Sequence, residues 1–164
     1  MIRRNRAGVI AAGMLLGIGL GGFIDGIVLH QILQWHNMLS SVVPPIDLFA
    51  MKYNMVWDGR FHAFTWVTTL VGVSVLWRVL NQRSTAPQPP WPTSILVGAF
   101  LLGWGAFNFI EGLIDHNLLG IHHVHPGIDQ AAWDIGFLLL GIAMCVAGVL
   151  LVRRVPAANG GASH

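Results

Sequence analysis

The chain has 164 residues, of which 54% are hydrophobic and 10% charged, whereas a water-soluble domain carries about a quarter charged residues. This composition excludes an ordinary soluble domain and points to the membrane. The formal net charge of +2 rests on nine Lys and Arg at scattered loop and terminal positions, too dispersed for a nucleic-acid surface, and the single cysteine, Cys145, excludes an intrachain disulfide.

Four apolar stretches follow in chain order, each long enough for the roughly 20 residues a span requires. The first, 7–36, comes after Arg3, Arg4 and Arg6. It is longer than the apolar core of a signal peptide and no small-residue cleavage site follows it, so a retained span is expected. A polar loop over 37–55 with Pro44–Pro45 leads to the second stretch, 56–80. Residues 83–92, which include the run TAPQPPWP, read as a stiff Pro-rich linker. The third stretch, 94–119, ends at Gly120, and Pro126 keeps the following loop from continuing as helix. The fourth, 131–152, is followed by Arg153, Arg154 and a Gly/Ala/Ser-rich tail over 155–164 that reads as disordered. The expected fold is therefore all-α: an integral membrane four-helix bundle with hairpins over 1–82 and 93–154.

Arg3, Arg4, Arg6, Arg78, Arg83, Arg153 and Arg154 fall on one side of this topology, and only Lys52 and Arg60 on the other. The positive-inside rule makes the first side cytoplasmic, with both termini inside. All seven acidic residues, and every histidine except His164, then lie in the outer half of the spans or in the outer loops.

The chain also repeats itself. FIDGIVLHQILQWHN (23–37) aligns without a gap on FIEGLIDHNLLGIHH (109–123), pairing Asp25 with Glu111, His30 with His116 and His36 with His122 at an offset of 86. WDGRF (57–61) echoes WDIGF (133–137) at an offset of 76, pairing Asp58 with Asp134, while His62 falls opposite Leu138. This is the pattern of a duplicated two-helix unit with both copies in the same orientation, related by an axis along the membrane normal.

At 1.5 Å per residue, Asp25 lies roughly 27 Å along its helix from Ala7, just beneath the outer boundary of a core about 30 Å thick. Asp25, His30, Asp58, His62, Glu111, His116 and Asp134 therefore converge on one layer. An ionisable residue within a span is costly unless paired, and marks a functional site by default. On an α-helix Asp25 and His30 stand about 140° apart, so ligands are expected to be shared between helices unless the backbone distorts at Gly26 and Gly112. Four histidines in HNLLGIHHVHPG (116–127) strengthen the case for a metal.

The expected ligands are His30, His62, His116 and His122, with Asp25 and Glu111 as ligands or their partners. Asp58 and Asp134 would orient histidines, and His36, His123 and His125 would serve as outer ligands or an entry path. Imidazole suits Zn, Cu or Fe, and carboxylates favour Zn, Fe or Mn; Met38, Met51 and Met55 near the first outer loop would favour copper.

The blocks GFIDGIVLHQILQWH, DGRFHAFTW and EGLIDHNLLGIHHVHPG together resemble a domain-of-unknown-function family of bacterial four-span inner-membrane proteins. The resemblance covers nearly the whole chain outside the tail and the linker, and implies a multi-pass protein of the bacterial inner membrane without implying an activity. A looser likeness to His-rich membrane enzymes, such as fatty-acid hydroxylases and alkaline ceramidases, carries no residue across because the spacings differ.

Two functional classes fit these residues. One is a metal-dependent membrane enzyme acting on a lipid-like substrate, with Glu111 or Asp115 as general base. The other is a copper-handling or assembly factor for a membrane oxidase. A structural or proton-binding polar network without metal is the third alternative.

Overall fold

The computed structural model describes residues 2–82 and 93–154, and the side chains from Arg6 onward. The linker and the tail, with Arg83, Trp91 and His164, lie outside the described residues. Within them the chain is helical, in four long segments apolar enough to cross a membrane: Arg6–Ile32, Leu48–Asn81, Thr93–Leu118 and Gln130–Arg153.

The first segment is α1 (Ile2–Ile24) continued by a π-helix over Asp25–Ile32. The second is α2 (Leu48–Asn81). The third is α3 (Thr93–Glu111) continued by a π-helix over Gly112–Leu118, and the fourth is α4 (Gln130–Arg153). α2 begins eight residues before the expected start because the Asp47 side chain accepts from Ala50 N at 2.8 Å and caps the helix there. Its 34 residues give a length of about 51 Å, more than a bilayer core needs.

The helix backbones pack in the pairs α1–α2, α1–α3 and α3–α4. The order across the molecule is therefore α2, α1, α3, α4, with α1 and α3 as the central pair. Small residues set how closely that pair crosses. A Cβ on Gly17 would run into the Phe100 carbonyl, and one on Gly103 into the Met14 carbonyl. Without a hydrophobic drive between helices in lipid, such close backbone contact is what holds them together. The outer helices follow the same rule: Gly72 of α2 receives Leu16 of α1, and Gly148 of α4 meets Gly98 of α3. Large side chains such as Trp66, Val73, Leu139 and Leu140 are left facing outward, as suits contact with lipid.

At one end, Val9, Val79 and Ile95 form a buried apolar cluster. The other end holds nearly all the buried polar side chains, Asp25, His30, Asp58, Glu111, His116 and Asp134 among them. That polar end is where both π-helices lie, and where the two connecting loops meet through Ser41 N to Ile121 O at 3.0 Å.

Candidate metal centre

The two π-helices change which residues share a face. In a π-turn the backbone bonds skip five residues, so side chains five apart stack, whereas on an α-helix they diverge. Asp25 and His30 thus come together, with Oδ2 and Nε2 3.3 Å apart; the corresponding Glu111 Oε1 and His116 Nε2 are 3.9 Å apart. Glycine at the start of each wide turn leaves room for a neighbour: a Cβ on Gly26 would meet the His62 ring, and one on Gly112 would press on Phe137 and Leu138.

The π-helices also end alike. Leu33 N bonds Val28 O and Trp35 N bonds Leu29 O; Leu119 N bonds Ile114 O and Ile121 N bonds Asp115 O. Between the two bonds of each pair sits a residue in the left-handed region, Gln34 at φ 51° and Gly120 at φ 58°, a wide version of the Schellman ending. This turn sends each chain back over the polar end and carries His36 and His122 inward.

Those two histidines cross between the loops. His36 Nδ1 lies 2.9 Å from Val124 O, and His122 Nδ1 3.1 Å from Met38 O. A carbonyl only accepts, so in each ring Nδ1 carries the proton and donates, leaving the Nε2 lone pair bare. The same two residues are tied down by their amides, Met38 N to Asp58 Oδ1 at 2.8 Å and Val124 N to Asp134 Oδ1 at 3.0 Å. Every one of these bonds has its counterpart 86 residues later in the loops, 76 later for the aspartates.

His30 Nδ1 donates to Asp58 Oδ1 at 3.1 Å, so its Nε2 too is turned to the centre. Asp58 further accepts from Asn37 Nδ2 at 2.8 Å. On the other side the aspartate is shared differently. Asp134 Oδ2 accepts from His123 Nδ1 at 2.7 Å, while His116 Nδ1 stands 3.7 Å from Asp134 Oδ1, beyond a hydrogen bond.

The result is a closed centre of unpartnered polar atoms. Asp25 Oδ2, Glu111 Oε2 and the Nε2 atoms of His30, His36, His116 and His122 are all buried and have no hydrogen-bond partner among the described residues. The four imidazoles are at most 4% exposed. His30, His36 and His122 place one ligand atom each within 4.8 Å of one another, and so do Glu111, His116 and His122. His36 and His122 stack with ring centroids 4.7 Å apart. Burial pushes the His36 imidazole down to about 4, with the neighbouring His30 adding to the shift. Burial, and then the neighbouring His36, His116 and His30, hold His122 well below the usual histidine range. Both rings are therefore neutral at pH 7, the form that binds metal.

The centre draws in His30, His116, His122, Asp25 and Glu111 from the expected set, and adds His36, expected only as an outer ligand. The repeat already carried that signal, because His36 is the partner of His122. His62 is not brought to the centre. Its Nδ1 bonds Asp58 O, one turn back on its own helix, at 2.8 Å. His123 is engaged with Asp134, and His125 packs against Trp35 and Trp133 with centroids 5.0 and 5.7 Å apart. Asp115 lies beside the centre, on the wall of a cavity that Glu111 also reaches. Asn54, fully buried and bonded to Leu39 N and Val43 O, pins the first loop in place and was not foreseen. Met51 and Met55 are exposed.

Over residues 12–155 the chain matches the family described as predicted membrane protein (DUF2243), and it belongs to that family. No curated protein and no solved structure matches it.

Proposed function

We propose that this chain is a membrane metalloprotein whose buried centre is formed by His30, His36, His116 and His122 with Asp25 and Glu111. One observation carries the reading: buried histidine nitrogens and carboxylate oxygens face one another there without a hydrogen-bond partner among the described residues. His36 and His122, each donating Nδ1–H to a carbonyl, turn bare Nε2 lone pairs into this cluster, and a buried polar atom without a partner calls for one. The surroundings fit a metal. Asp58 on His30, and the Val124 and Met38 carbonyls on His36 and His122, are the partners that fix ligand histidines on their far nitrogen. The paired bonds further support two copies of one two-helix unit around a pseudo-twofold axis, each giving one carboxylate and two histidines.

Among metals, the inward carboxylates favour Zn, Fe or Mn over Cu(I). Such an ion, when bound, activates water or oxygen, which supports an enzyme acting on a lipid-like substrate over copper delivery to a membrane oxidase. Glu111 then holds the ion side, and Asp115, on the cavity wall, is placed to take up a proton. The distribution of Arg and Lys supports a multi-pass protein of the bacterial inner membrane with both termini cytoplasmic and the centre at the extracytoplasmic side.

Elemental analysis of untagged, detergent-purified protein tests the centre. Stoichiometric metal is expected, and its loss in the His36→Ala and His122→Ala variants. A second reading has its own observation: His30 stands between Asp58 at 3.1 Å and Asp25 at 3.3 Å, where a proton would serve as the cation. Folded protein that holds no metal and rebinds none overturns the metal reading in favour of that proton.

A further inference from the structure

A cavity of about 500 Å³ lies beside the centre, in the groove that α2 and α3 form over α1. Its walls are two helical stripes: Trp57, Arg60, Phe61 and Phe64 of α2, and Phe107, Ile110 and Glu111 of α3, with Ile18 of α1 as the floor. The lining is graded. Arg60, Glu111 and Asp115 occupy the polar end, and Ile18, Phe64 and Phe107 lie further along the spans. Phe64 and Ile110 are 55% and 54% exposed, so the groove opens sideways, toward lipid. Arg60 lies over the Trp57 ring at 4.6 Å, and no carboxylate of the described residues lies within ion-pair distance of it.

The two halves of the chain differ at this groove. At the repeat-equivalent positions on the opposite face, Gly136 stands for Arg60, Leu29 for Asp115, Trp104 for Ile18 and Gly21 for Phe107. There the Trp104 ring packs against Gly21 so closely that a Cβ would overlap it. The same scaffold is thus filled and without a cation on that face, and open with a cation on the other.

We propose that this cavity is the substrate site of the centre, and that it takes an anionic membrane lipid. The acyl chain lies along Phe61, Phe64 and Phe107, the head group sits against the unpaired guanidinium of Arg60, and the head-proximal part of the chain is presented to Glu111. The graded lining matches the direction in which a lipid stands in a leaflet. A guanidinium held on an aromatic ring at the interface recognises a phosphate or carboxylate head. The assignment of the lipid as substrate rests on the metal-centre reading; its binding does not.

The test is photo-crosslinking in vesicles of phosphatidylcholine doped with a diazirine-tailed phosphatidylglycerol. Labelling is expected to concentrate on peptides carrying Phe61, Phe64, Phe107 and Ile110. Ala106→Trp, at the cavity wall, should cut that labelling about tenfold while the metal-to-protein ratio stays unchanged. Should that variant fail to fold, the double substitution Ile18→Trp with Phe107→Gly, which copies the filled face, serves in its place. Arg60→Gln should abolish the preference for phosphatidylglycerol over a diazirine-tailed phosphatidylcholine. His36→Ala should lose metal and keep the labelling, which separates failure of the centre from failure of the cavity. Labelling spread evenly over outward positions such as Trp66 and Leu139, or unchanged by filling the cavity, overturns the proposal.

Discussion

The two halves of the centre contain nearly the same side chains and hold them differently. In the first half Asp58 grips His30 at 3.1 Å and is itself held by Asn37 and by Met38 N, both at 2.8 Å. In the second half the residue opposite Asn37 is His123, and its 2.7 Å bond to Asp134 leaves His116 3.7 Å from that carboxylate. The carboxylates differ as well. Asp25 reaches only His30, at 3.3 Å, while the longer Glu111 lies between His122 at 3.4 Å and His116 at 3.9 Å. One half is a fixed imidazole with a short carboxylate. The other is a looser imidazole with a longer carboxylate that spans two histidines and borders the cavity. The two halves carry matching side chains under different constraints, with the looser side next to the cavity.

Removing the orienting carboxylates one at a time should break this comparison most strongly. Partners that fix ligand histidines are worth about 10–100-fold in metal affinity. Asp58→Asn should fall in that range, because the aspartate orients His30 directly. Asp134→Asn should cost only a few-fold, because its tighter bond goes to His123, which does not reach the centre. Competition with a chelator of known affinity reads both. Equal losses would mean that the 3.7 Å separation closes when metal is present and that the halves are equivalent in the loaded protein.

The exchanges of Asp25 for Glu111 and Asn37 for His123 are visible in the sequence, but the different grip they produce is not. Four spans follow from apolar length alone, and the gapless match of 23–37 with 109–123 carried the polar layer and even the pairing of His36 with His122. Two things were hidden. The choice of a π-turn over an α-turn at Asp25 and Gly112 depends on room made by glycine and on what packs there, His62 in one case and Phe137 in the other; no local periodicity encodes it. Without it, Asp25 and His30 diverge. The crossing of His36 to Val124 and His122 to Met38 is a contact between two loops more than 80 residues apart, fixed only once α1 and α3 have packed on their glycine seam. The sequence likewise put His62 in one layer with Asp58, but could not say that its ring would turn back onto its own backbone.

A smaller effect is expected where each π-helix ends. Gln34 and Gly120 occupy equivalent left-handed positions. A side chain with a Cβ costs about 1–2 kcal/mol there, and glycine does not. Gly120 has open space where a Cβ would sit, so Gly120→Gln makes the second turn like the first and should lower stability by about 1 kcal/mol without altering metal content. Thermal unfolding in detergent measures it. A loss of metal instead would show that this turn aims His122 more finely than its counterpart aims His36.

The smallest effect belongs to His62, where the halves differ by a whole side chain. Leu138 is its counterpart, and the second half places its ligands without a histidine there. The His62 ring bonds only the Asp58 carbonyl of its own helix among the described residues, and it fills the space beside Gly26. His62→Leu copies the second half into the first, keeps an apolar body of similar bulk against Gly26, and removes one hydrogen bond to a carbonyl already within a helix. Metal content should stay within twofold of the parent. If metal is lost while the protein stays folded, His62 turns inward when an ion binds, and the first half would then bind through three histidines where the second uses two and a longer carboxylate. The two halves would in that case differ in their ligands as well as in their grooves.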